Sequence, residues 1–166
     1  MQPLGLHSEM AFMAFAGDRA VLIERADKAL QLASAPTAGL FSKVMQGACA
    51  RLPALKGLGS AARLERLIDA GAWAEAALAL VELEMPAWSV RRLACERGEW
   101  VCSLSRQPNL PIAVDDTAEA SHEVLALAIL RAVIEVRRRS AAAEMKSAVP
   151  SVAASSQRMF CCDSFA

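Results

Sequence analysis

An excess of charge of either sign is missing from this sequence. Its 18 Lys and Arg offset its 18 Asp and Glu, and no segment is strongly polarised. A general nucleic-acid binder needs a basic footprint to neutralise phosphates, so that class is disfavoured. Long apolar runs are missing too: the longest, VLALAIL at 124–130, falls far short of a membrane span. The short apolar piece MAFMAFAG near the N-terminus follows Glu9 and has no basic region before it, so it does not read as a secretory signal. The cysteines, Cys49, Cys95, Cys102, Cys161 and Cys162, are odd in number and contain no C-x-x-C, and no histidine stands at ligand spacing. That pattern argues against a zinc site or a disulfide framework and fits a reducing cytosol. No P-loop, no G-x-G-x-x-G after a strand, no H-E-x-x-H and no Ca²⁺ loop occurs, so no cofactor and no metal are expected. The expectation is a soluble cytoplasmic protein without membrane contact.

What is present is mostly helix-forming. Apolar residues make up 55% with Ala and Leu dominant, whereas aromatics supply only 5% and Tyr is absent. At 166 residues the chain fits one domain with extensions. Residues 1–17 lack a clear period and are expected to be poorly ordered. Asp18 is placed as the N-cap of a helix running to about residue 32 or 34, with Val21, Leu22, Ala26, Ala29 and Leu30 as its apolar positions. Pro36 breaks it. The piece AGLFSKVMQGACAR predicts a second helix that aligns Leu40, Val44 and Ala48, weakened by Gly47. Pro53 and the glycines of KGLGS mark a boundary, so residues 18–59 read as a helical arm with a Gly/Pro-rich linker. The pattern leaves open whether that arm packs on the rest.

Residues 60–139 read as an α-β-β-α unit. Leu64, Leu67 and Ile68 stand at helical spacing, and Gly71 is positioned to end their helix. AWAEAALALVELEM continues the helical pattern with Ala77, Leu80, Val81 and Glu84 on successive turns until Pro86. WSVRRLACERGEWVCSLSR then alternates on both sides of ERGE, the period of a β-hairpin. A two-residue turn at Arg97-Gly98 sets Cys95 opposite Trp100 and Leu93 opposite Cys102. A bulge at Gly98 sets Ala94 opposite Trp100 and Val90 opposite Leu104. The reluctance of Arg97 to take a positive φ favours the bulge. In both registers Trp100, Cys102 and Leu104 face one side, and Val101, Ser103 and Ser105 the other. Asp116-Thr117-Ala118-Glu119 has the form of a capping box opening a long helix at about 117–139. Its apolar rows are Leu127-Leu130-Ile134 and Leu125-Ile129-Val133-Val136, and Arg137, Arg138 and Arg139 close it. Residues 140–166 show no period and are expected to form a disordered tail. The fold expected is α+β and predominantly helical, its helices packed on one short antiparallel hairpin.

Within this unit, MPAWSVRRLACERGEWVCSLSRQPNLPIAVDDTAEASHEVLALAILRAV resembles a family of small uncharacterised bacterial proteins. The shared elements are a Trp–x–x–Arg–Arg–Leu strand, a Gly-Glu-Trp–x–Cys turn, a Leu-Ser-Arg strand end and an acidic cap before a long helix. The likeness spans about residues 64 to 139 and implies a folded helix–hairpin–helix unit without implying an activity. A weaker likeness is to small phage-encoded α-β-α sandwich domains.

Candidate chemistry is sparse. Cys102 alternates in phase with Trp100 and Leu104 and is expected as a small buried hydrophobe, not a nucleophile. The facing of Cys95 depends on the register. Ser103 and Ser105 lack a G-x-S-x-G elbow and read as the polar face of a half-buried strand. His122, beside Glu119 and Glu123, reads as a solvated residue in the first turns of the long helix, and Asp115 and Asp116 as its caps. No catalytic, cofactor-binding or metal-binding residue is assigned. A basic patch on the hairpin, Arg91, Arg92, Ser103 and Arg106, is the candidate site for an anion or a partner, with Arg91 opposite Ser103 in the bulge register. The reading is a non-enzymatic interaction or regulatory module whose partner is another protein or itself. Self-association is expected through whichever row of the long helix stays uncovered, with cover by residues 18–51 as the competing arrangement. The alternatives are an enzyme subunit or thiol protein acting through Cys95 or Cys102, and weak anion or nucleic-acid binding by the hairpin arginines.

Overall fold

The computed structural model describes residues 6–55, 57, 59–111 and 115–147, with side-chain surroundings from Asp18 to Ala143. The elements are α1 (Leu6–Gln31), α2 (Ala38–Ala48), α3 (Leu52–Leu55), α4 (Gly59–Asp69), α5 (Trp73–Glu84), β1 (Ser89–Glu96), β2 (Glu99–Ser105), β3 (Thr117–His122) and α6 (Leu125–Ser147). The fold is α+β: a three-stranded antiparallel sheet in the order β1-β2-β3 stands on helices.

Helix α1 begins at Leu6, so Asp18 lies inside it and caps nothing. Its buried stripe is Ile23, Ala26, Asp27 and Leu30, one helical face at i, i+3, i+4 and i+7, whereas Val21 and Leu22 point to solvent. Thr37 caps α2, its hydroxyl accepting from the Leu40 amide at 3.3 Å. Gly47 has a packing role in α2. A Cβ there would lie 3.0 Å from the carbonyl of Leu22 and 3.2 Å from the amide of Ile23, so only glycine lets α2 rest directly on α1. Gly71 takes φ 70° just past α4, with the Ala72 amide reaching back to the Leu67 carbonyl at 2.9 Å, as the sequence predicts.

The sheet departs from expectation in two ways. The hairpin uses the two-residue turn: Arg97 and Gly98 have φ 53° and 89°, and Cys95 pairs with Trp100, Leu93 with Cys102. The irregularity sits instead between Val90 and Arg92, so Arg92, not Arg91, faces Ser103. Second, the expected capping box is a third strand. Ala118 and Ala120 pair with Leu104 and Cys102 on the helix side, and Thr117, Glu119 and Ser121 pair with Ser105, Ser103 and Val101 on the other. This period of two makes 117–122 an edge strand, and the long helix starts eight residues later than predicted, at Leu125 instead of 117. It also runs to Ser147, so the first part of the expected tail is helix; residues 148–166 lie outside the described residues.

Helix α6 is the centre of the molecule. From Ala126 to Val136 only Arg131 and Glu135 escape burial. Strands β2 and β3 cover one side of it, and α1, α2 and α5 cover the other. One hydrophobic cluster joins Ile23 and Leu30 of α1, Phe41 and Val44 of α2, Leu80 of α5, Leu104 of β2 and Leu127 to Ile134 of α6. Both apolar rows are thus covered within the chain, and the arm at 18–51 belongs to the same core. The motive for self-association through the long helix is gone.

Candidate functional site

Among the described helices only α6 packs broadly on the sheet, on the side of Cys102, Leu104, Ala118 and Ala120, and the side chains of the other side line up in rows across the strands. Ser89, Ser105 and Thr117 form the first row, Arg92, Ser103 and Glu119 the second, and Ala94, Val101 and Ser121 the third; Glu96 and Glu99 close the turn end. An open trough of about 1000 Å³ follows this turn end, bordered by Glu96, Arg97, Glu99, Val101, Glu119 and Ser121. A smaller cleft of about 350 Å³ lies beside it, between Leu32 and the pair His122 and Arg131.

The basic patch does not converge. Arg91, pushed out by the irregularity in β1, puts its Nη1 2.6 Å from Asp115 Oδ2. That oxygen also accepts from Ser105 at 2.6 Å and Thr117 at 2.9 Å. The Ser105 hydrogen bond first, then those of Thr117 and Arg91, hold the Asp115 carboxyl below its usual range despite its desolvation. Arg92 pairs with Glu96 along the exposed edge. Ser103 donates to Glu119. Arg106 lies past the end of β2, its guanidinium 5.0 Å above the ring of Trp88. Ser103 and Ser105, expected on a half-solvated face, are 2% and 0% exposed, with Glu119 of the neighbouring strand and Asp115 of the loop bonded to their hydroxyls.

Other candidates have structural partners as well. Cys102 is fully buried, and desolvation, then the charge of Glu119, pushes its thiol up to about 12. Burial, then Glu84, does the same to Cys49, also to about 12. Cys95 is exposed on β1. His122 ends β3 instead of standing in the helix, and its Nδ1 accepts from the Val124 amide at 2.9 Å, shaping the turn into α6. Asp115 and Asp116 cap no helix: the first ties the loop to β1 and β2, and the second lies 3.7 Å from Arg139. Among the described residues no three His, Cys, Asp or Glu stand close enough to hold a metal ion.

Two buried carboxylates lie outside the candidates that the sequence offers. Glu84, 2% exposed, accepts from the amides of Ala50, Arg51 and Leu52 and lies 2.8 Å from Arg137. Asp27, 4% exposed, meets Arg138 at 2.8 Å and Gln31 at 2.7 Å. The signal was present in each case as an acidic residue in phase with a buried helical stripe.

Among the described residues no helix is long and apolar enough to cross a membrane. Comparison with family models, with curated proteins and with solved structures finds no match to this chain.

Proposed function

We propose that the chain is a non-enzymatic interaction module of a bacterial cytoplasm, working through the side of its sheet that no described helix covers. One observation carries the reading: of the described helices only α6 packs broadly on the sheet, on one face, and the trough and strand β1 stay open. Groups that catalysis would enlist are committed elsewhere. Cys102 is a buried thiol raised to about 12, which disfavours a nucleophile. Ser103 is bonded to Glu119. Nucleic acid is disfavoured because Glu96, Glu99 and Glu119 share this face with Arg92. The partner is therefore another protein or a second copy.

A photo-crosslinking residue at Val101, on the open face, should give protein adducts in the cell of origin. The same probe at the exposed Glu65 of α4 should give none. Equal adducts at both positions, or none at Val101, would remove the open face as the working surface. The thiol alternative is tested by brief alkylation of the native protein with peptide mapping. Cys95 should be labelled while Cys49 and Cys102 are spared; rapid labelling of Cys102 would revive the thiol reading.

A further inference from the structure

We infer that two copies of the chain join edge to edge through β1, giving a six-stranded sheet. This goes beyond the proposed interaction module: the partner is a second copy, and the contact is the free edge of the sheet, not its open face. β1 bonds to β2 on one side only, and its other edge is unpaired by any described strand. Folded proteins usually blunt such edges with charges, bulges or a cover. Here the irregularity between Val90 and Arg92 blunts only the first part of the strand. From Arg92 to Glu96 the ladder is regular.

The direction of the free hydrogen-bonding groups follows from the turn. Glu96 and Glu99 flank a two-residue turn and form its narrow, hydrogen-bonded pair. Bonding alternates from there, so Ala94 and Arg92 also bond to β2, while Leu93 and Cys95 turn their N–H and C=O outward. Both side chains are exposed, Leu93 at 36%, on the helix-facing side beyond the reach of the core. Arg92 and Glu96 flank them on the opposite face.

A two-fold axis through Ala94 satisfies all of these groups at once. Leu93 then exchanges two hydrogen bonds with Cys95 of the second copy, and the symmetric pair does the same. Arg92 stands opposite Glu96 of the second copy on the open face, twice, and joins the Arg92–Glu96 pair within each chain. Moving the axis to Leu93 draws the irregular Val90–Arg91 segment into the ladder and sets Arg92 opposite Ala94. Moving it to Cys95 draws in Arg97 of the turn. The Ala94 axis alone keeps the five regular residues mutually paired and the charges complementary. It brings Arg97 toward Arg91 of the second copy, whose charge Asp115 already offsets. Two-fold pairing is also the commonest symmetry of oligomers.

The full-length chain should sediment as a dimer. Leu93→Lys, at an exposed edge position, should leave the helical circular dichroism unchanged and give a monomer. Arg92→Glu or Glu96→Arg alone should weaken dimerisation at least tenfold, and the two together should restore it. Ala94→Cys should give a disulfide-linked dimer under mild oxidation, mapped to position 94, because a non-hydrogen-bonded antiparallel pair sets its Cα atoms about 4.5 Å apart. A monomeric wild type, or a dimer indifferent to Leu93→Lys, would overturn the inference. So would cross-linking between the two native Cys95 residues in place of position 94. A monomer that still gives Val101 adducts with another protein removes the dimer and spares the interaction module. Loss of those adducts beside an intact dimer removes the broader reading and leaves the edge contact standing.

Discussion

Glu84 has as many partners as a buried carboxylate can use. Three successive amides, from Ala50 to Leu52, and the Arg137 guanidinium converge on it. Two of those amides lead into α3 and the third opens it, so one side chain holds the start of that short helix and ties it to α5 and α6. A carboxylate this enclosed is tolerable only while its partners are present, and deleting it leaves three N–H groups without their acceptor. Glu84→Ala should therefore cost about 3–5 kcal/mol of stability, read from urea unfolding followed by circular dichroism. Glu84→Gln, which keeps an accepting oxygen, should cost less. A loss under about 1 kcal/mol for the alanine variant would mean the capping amides find water instead. The position was legible, since Glu84 falls in phase with Ala77, Leu80 and Val81. Its partners were not, because Ala50 lies 34 residues away and Arg137 53. Asp115 shows the same limit: Arg91 is 24 residues distant, and sequence-local reasoning offered only a cap that no helix there needs.

At the scale of elements, the β1–β2 turn shows two preferences in competition. Arginine resists a positive φ, and that resistance argues for a bulge at Gly98. The folded chain holds Arg97 at φ 53° all the same. The two-residue turn matches the twist of the flanking strands, and the irregularity moves to Arg91, where Asp115 meets the displaced side chain. Asn occupies this conformation more readily than arginine, so Arg97→Asn should raise stability by about 0.5–1 kcal/mol, seen as a higher Tm. An unchanged or lower Tm would show that the Arg97 side chain makes contacts outweighing its backbone strain. The hairpin itself was legible because strict alternation has few other readings. Strand β3 was not: TAEASH is composed largely of helix-compatible residues and begins like a cap. Only pairing with β2, which places Ala118 against Leu104, selects the extended form.

For the molecule as a whole, the rows of α6 were legible and what covers them was not. Apolar residues around most of a helix require neighbours on most sides, and periodicity does not name those neighbours. They are the sheet, α5, and the N-terminal helices α1 and α2. A fragment of residues 60–139, which the sequence marks as the compact unit, should therefore fail to fold alone. It would uncover the side of α6 that meets Ile23, Leu30, Phe41 and Val44. Expressed by itself it should aggregate or bind a hydrophobic dye without a cooperative melt. A soluble fragment with a sharp transition would show that α1 and α2 are appendages.

The place of α6 in the chain has a consequence for synthesis. The helix that every layer packs against is also the last of the described elements to emerge from the ribosome. At about 5–20 residues per second, the 119 residues from Leu6 to Val124 take roughly 6–24 s to appear before it begins. During that interval α1, α2 and α5 present apolar stripes with no common centre, and β2 lacks its backing. The nascent chain thus depends on shielding until α6 arrives. A message truncated before α6 would yield a polypeptide that the cell's proteases recognise as unfinished.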